Sequence, residues 1–168
     1  MEELETQGRI IGTIEAAGEV EAERSFVGAV SAHEVEIERG VALAVMARGD
    51  VNLHQAAAGP TLTAGNVTIT QGGCGPVVSG GNVSFHQGGC GPVLSRGDVS
   101  FEQGGCQVAI AAGGVRVSRG LVGVALAPNV HVEEGGRVLM GLREAAAFGA
   151  AVGLGVLMAL GRRRRSVA

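Results

Sequence analysis

Three cysteines, Cys74, Cys90 and Cys106, recur at intervals of 16 residues, each at the end of Gly-Gly-Cys. Thiols at regular spacing suit soft-metal binding, disulfide formation or nucleophilic attack. The neighbouring segments argue for something plainer, because Ala58 and Val122 stand at the same place one period before and after. A site that accepts Ala, Cys and Val treats the thiol as a small apolar side chain. Three sulfurs strung along one line do not converge on a tetrahedral centre, and no run of histidines lies beside them. Parallel side chains in a packed row do not meet the dihedral a disulfide needs. Free thiols, no metal and no cofactor are therefore expected.

Polar residues repeat with the same period. Gln55, Gln71, Gln87 and Gln103 form one series, and Asp50, Asn66, Asn82 and Asp98 another. Side-chain amides at such spacing can hydrogen-bond to one another as a structural ladder, or present a polar stripe to a ligand. The ladder is the expected role. His54 and His86 share a series with Thr70 and Glu102, a variation that suits surface positions better than a catalytic dyad. Glu19, Glu21 and Glu23 alternate with Val20 and Ala22, and Glu34, Glu36 and Glu38 with Val35 and Ile37, which predicts an acidic outer face able to discourage uncontrolled end-to-end addition, or to attract cations. Gly-Gly-Cys-Gly resembles calcium-binding nonapeptide repeats only in part, since the Asp those repeats need is missing.

The element that must position all of these is a repeat. Residues 49–64 read GDVNLHQAAAGPTLTA, 65–80 GNVTITQGGCGPVVSG, 81–96 GNVSFHQGGCGPVLSR and 97–112 GDVSFEQGGCQVAIAA. The register extends back to residue 33, then to a segment one residue shorter (18–32) and a degenerate opening segment. It runs forward through 113–127 to a fragment beginning at Asn129. Val51, Val67, Val83, Val99 and Val115 fall in one column, and Leu53, Ile69, Phe85, Phe101 and Val117 two residues on, with polar residues between: the alternation of a half-buried strand. Met46, Leu62, Val78, Leu94, Ile110 and Leu126 form a further apolar column and are expected to line the interior as well. The Gly pairs at 72–73, 88–89 and 104–105 separate the two strand regions and are expected to turn the corner. A segment this short cannot bury its apolar column alone. Stacked on its neighbours at about 4.8 Å per layer it can. The sequence therefore predicts an all-β fold, a parallel β-helix (β-solenoid) of 16-residue coils over residues 1–140, about eight coils and a fragment. A β-sandwich is disfavoured because its strands face different neighbourhoods and diverge.

Composition agrees. Apolar residues make up 46% and aromatics 2%, with 30 glycines, so the core must be built in thin layers of aliphatic side chains. Ten of the 16 acidic residues precede residue 39, and no basic face with interleaved aromatics exists, which argues against nucleic acid as a partner. The opening Met1-Glu2-Glu3-Leu4-Glu5 is acidic and is not a secretory signal. Ala145 to Gly161 is a run of 17 uncharged residues followed directly by Arg162, Arg163, Arg164 and Arg165. As a helix it would span roughly 25 Å, a little short of a hydrocarbon core. The expectation is a single C-terminal hydrophobic α-helix crossing the cell membrane (141–161) with a basic tail (162–168), rather than a helix capping the stack. The Arg run favours a cytoplasmic C-terminus, whereas the missing signal and unpaired cysteines favour a cytoplasmic solenoid. The second is taken as the expectation.

The motif G-[DN]-V-x-[LIF]-x-Q-G-G-[CA], covering residues 33–127, resembles repeats of bacterial proteins that end in a membrane anchor. In period and composition it is also similar to the bactofilins, polymer-forming bacterial β-helices. It lacks the V-x-G-[DN]-[IV] turns associated with that group, and its anchor is C-terminal. The resemblance implies a structural protein that associates with itself. The expected function is thus a non-enzymatic, membrane-tethered scaffold or self-assembling solenoid, with membrane lipid and a second copy or another protein as partners. The alternative is a solenoid that binds a glycan or cation through its polar or acidic columns.

Overall fold

A computed structural model describes residues 4–8 and 10–141. Among these residues the chain winds into a parallel β-solenoid of about eight turns, with no helix. One face is a nine-stranded parallel sheet and the other a 12-stranded one. The strands Val51–His54, Val67–Thr70, Val83–Phe85, Val99–Phe101 and Gly114–Val117 are consecutive neighbours in the first sheet. Val67 pairs with both Val51 and Val83, and Val83 with Val99, so each valine sits on the equivalent residue of the next coil. The ladder bonds are regular: Val51, Val67 and Val83 donate to the carbonyls of Asn66, Asn82 and Asp98, each at 2.9 Å. Where a segment is one residue shorter the register steps by 15 instead, Glu19 pairing with Glu34 and Gly114 with Asn129. The fragment after Asn129 supplies strands to both sheets, Asn129–Val132 and Arg137–Met140. The hydrophobic segment and the arginine run lie outside the described residues.

The interior follows the alternation in the first sheet. Val51, Val67, Val83, Val99 and Val115 are buried, as are Leu53, Ile69, Phe85, Phe101 and Val117. Phe85 and Phe101 stack with ring centroids 4.9 Å apart and planes 9° from parallel, as in-register layers require.

On the second sheet the expected phase is wrong by one residue. Met46, Leu62, Val78, Leu94 and Ile110 point to solvent and Leu126 is half-buried. The inward columns on either side run Val45, Thr61, Val77, Val93, Ala109, Ala125 and Ala47, Thr63, Ser79, Ser95, Ala111, Ala127. The reason is size combined with hydrogen bonding. The second of these columns holds only small residues, and its hydroxyls find partners: Ser79 donates to the Gly65 carbonyl at 2.7 Å, Ser95 to that of Gly81 at 2.6 Å, and Thr63 to that of Gly49. The same oxygens accept from the amides of Gly81 at 3.1 Å, Gly97 at 3.0 Å and Gly65 at 3.1 Å. A satisfied serine can be buried at little cost, so the larger aliphatics are left outside.

The corners also differ from the sequence expectation. Gln55 and Gln71 themselves take the left-handed conformation, as do Arg24, Arg39 and Arg119 in the same column. In the next two coils glycine does so, at Gly88 and Gly104 with φ of 142° and 141°, and towards the two ends of the stack Gly8 and Gly135 take φ of 64° and 86°. A β-carbon on Gly88 would land on the Gly72 carbonyl oxygen, so close stacking fixes this residue as well. Further along, Pro60, Pro76 and Pro92 lack an N–H and split the second-sheet strand in two. Their carbonyls still accept, from Val45, Thr61 and Val77 at 2.9–3.0 Å. Where Gln107-Val108 replaces Gly-Pro, the strand Gly104–Ala111 runs unbroken.

Candidate functional site

The first sheet carries the polar columns outward. Gln55 donates through Nε2 to Oε1 of Gln71 at 3.0 Å, Gln71 to Gln87 at 2.9 Å and Gln87 to Gln103 at 2.8 Å. At the opposite corner the side-chain oxygens of Asp50, Asn66, Asn82 and Asp98 accept from the backbone N–H groups of Asn66, Asn82, Asp98 and Gly114 at 2.6–2.9 Å. Each side chain thus caps the coil that follows it. Both series are ladders one coil apart, and their best donors and acceptors are engaged along the stack.

Cys74, Cys90 and Cys106 are free, buried and in register, Cys74 pairing with Cys90 and Cys90 with Cys106. Val27, Ala42, Ala58 and Val122 fill the same column and are buried too. Contact with Cys106 and Cys74, together with burial, pushes the Cys90 thiol well above its ordinary range. A Cys90 thiol held protonated is a poor nucleophile and a poor metal ligand, whereas the same contact pushes the Cys106 thiol down. Among the described residues no group of three or more His, Cys, Asp or Glu is placed to hold a metal ion.

His54 is exposed, and His86 places Nδ1 2.9 Å from a carboxylate oxygen of Glu102 in the next coil. This is a surface pair on a flat sheet, with no third group oriented by it. Glu19, Glu21 and Glu23 pair in register with Glu34, Glu36 and Glu38, forming the acidic outer face of the early coils. An open depression of about 360 Å³ near the C-terminal coils is lined by Asp98, Ser100, Arg116, Asn129 and His131. Its charges are already partnered, Asp98 with the Gly114 amide and Arg116 with Glu133 at 3.9 Å. Ser100 and His131 lie two layers apart in it, with Arg116 in the layer between them.

The outward side of the second sheet is the feature that residue-by-residue reading missed. From Phe26–Ala32 through Gly120–Leu126 none of its strands contains an Asp, Glu, Arg or His. Met46, Leu62, Val78, Leu94 and Ile110 stand along it in a continuous ridge, 57%, 48%, 39%, 47% and 39% exposed. Single exposed aliphatics are ordinary on a protein surface, whereas a contiguous row of them is uncommon. The absence of charge in every second half-coil is visible in the sequence and is the signal that could have found this face. Comparison with protein-family models, curated proteins and solved structures finds no match for this chain.

Proposed function

We propose that this chain is a non-enzymatic scaffold, held to a membrane by its C-terminal hydrophobic segment and acting through contacts of the solenoid with copies of itself or with other proteins. The observation that carries this reading is the division of the solenoid into one polar face whose ladders bond internally and one charge-free face with an exposed aliphatic ridge. Such a body offers surfaces for association. A reaction would need converging groups in a cleft, and the polar columns lie spread along a flat sheet. Both sheets also end, among the described residues, on strands with one neighbour, Leu4–Gln7 and Asn129–Val132 in the first sheet. Membrane attachment rests on the sequence of 145–165, an uncharged run closed by four arginines.

The ligand-binding alternative draws less support, because the amides of the Gln series bond to one another. Membrane fractionation with carbonate washing tests the tether. The full chain is expected in the washed membrane pellet, and a chain lacking 145–165 in the supernatant. Recovery of the full chain in the supernatant would overturn the tether. A cysteine introduced at Glu36, on the outer face, reports the side: the expected cytoplasmic solenoid stays unlabelled by an impermeant maleimide until the cells are opened.

A further inference from the structure

We infer that the charge-free face is a homodimer interface, in which two solenoids pack side by side and parallel about a two-fold axis running along the stack. This extends the scaffold reading by naming surface, partner and orientation. It stands on the chemistry of the face and survives if the membrane tether fails.

Shape argues for a second copy. On each coil the ridge residue has its counterpart five residues earlier, across the Gly-Pro centre of the strand region. Opposite Leu62, Val78, Leu94 and Ile110 lie Ala57, Gly73, Gly89 and Gly105, while in the two flanking coils the same column holds the exposed Val41 and Leu121. A two-fold axis along the stack reverses strand direction on the partner, so in the four central layers each ridge residue falls on a small residue of the partner, and in the outer layers Met46 and Leu126 fall on the column that holds Val41 and Leu121. Large side chains then meet flat backbone, and the small column lets the sheets approach at the usual face-to-face distance of about 10 Å. A self-complementary patch of this kind is what a two-fold contact requires.

Area argues the same way. The six coils from Val41 to Leu126 and an eight-residue strand width give a face of about 29 Å by 26 Å, on the order of 750 Å², close to the ~800 Å² each partner contributes to a stable interface. A lipid surface is a poorer match, because the face has no Trp or Tyr to sit at a headgroup boundary, although Arg24, Arg39 and Arg119 border one edge of it and Arg48 and Arg96 the other. The parallel arrangement also brings both chains' Gly141 to the same end of the dimer, which lets two tethered copies enter one membrane together.

The test uses the full chain, in detergent if it fractionates with membrane and in buffer if it does not. Light scattering is expected to give a dimer. The double variant Leu62→Glu/Leu94→Glu is expected to weaken association by at least roughly a hundredfold, while Asn52→Glu/Ser84→Glu on the polar face leaves it unchanged. A monomeric wild type, or a double variant that stays dimeric, overturns the inference. A benzophenone side chain at position 94 guards against a variant that fails to fold. Cross-links to the Gly89–Gly105 region of a second copy support the interface. Cross-links to residues 145–161 of the same chain, to lipid or detergent alone, or to another copy's residue 94 in an antiparallel pair, overturn it.

Discussion

Cys90 shows how the stack changes the chemistry of a residue. Its sulfur lies between those of Cys106 and Cys74 in a buried column, and both contacts, with burial, raise its pKa. In the unfolded chain the thiol ionises near its ordinary value of 9.0, while in the folded chain it keeps its proton. The stability this contributes is present below that pH and is lost as pH rises above it, by up to about 1.4 kcal/mol per pH unit for one thiol, whereas Cys106, pushed down by the same contact with Cys90, acts with the opposite sign just below pH 9.0. The chain has no lysine and no tyrosine, so few other groups titrate in this range. Urea midpoints between about pH 9 and 10.5, above the range in which Cys106 opposes the effect, are expected to fall more steeply for the wild type than for Cys90→Ala. Alanine already fills this column at Ala58, so the variant keeps its packing. Equal slopes would show that the thiol column does not titrate as described. That Cys74, Cys90 and Cys106 are packing residues was legible from Ala58 and Val122 at equivalent places. That Ser79 and Ser95 are core residues was not, since their burial depends on the Gly65 and Gly81 carbonyls one coil earlier, 14 residues away.

At the scale of strands and corners, the period was fully legible and the phase only half so. In the first sheet, large aliphatics alternate with polar residues, and that contrast fixes which side faces in. In the second sheet the alternation is between small residues and large aliphatics, and hydropathy alone selects the wrong set. The corner glycines were legible as special positions, yet neighbours of one Gly-Gly pair carry different constraints. Gly88 has φ of 142° and the Gly72 carbonyl against it, whereas a β-carbon on Gly89 would make ordinary contact, 3.5 Å from the Gly105 carbonyl oxygen. Gly88→Ala is therefore expected to destabilise by more than about 2 kcal/mol through combined strain and clash, and Gly89→Ala by less than about 1 kcal/mol. Chemical denaturation of the two variants checks this, and equal losses would mean that the corner is built differently.

For the whole molecule, each coil touches mainly its neighbours, so stability is a sum over layers and their interfaces. Removing one full period, residues 81–96, reconnects Gly80 to Gly97 in register and is expected to leave a folded solenoid with a smaller denaturant m-value. Removing half a period, residues 73–80, displaces every later column and is expected to abolish cooperative unfolding. On the proposed scaffold reading, the sides rather than any single residue are the functional unit. The charge-free face exists only because seven successive coils repeat it, which is why inspection of individual motifs did not reveal it. The claim beneath all of this is that residues one period apart are direct cross-strand neighbours. The most direct measurement is a set of backbone nuclear Overhauser contacts across Val67, Val83 and Val99 in the isotope-labelled full chain. Amide-to-α-proton contacts between residues 16 apart, in the parallel pattern and repeated coil after coil, are expected. Contacts in an antiparallel pattern, or none at that separation, would contradict the stacked architecture and everything built on it.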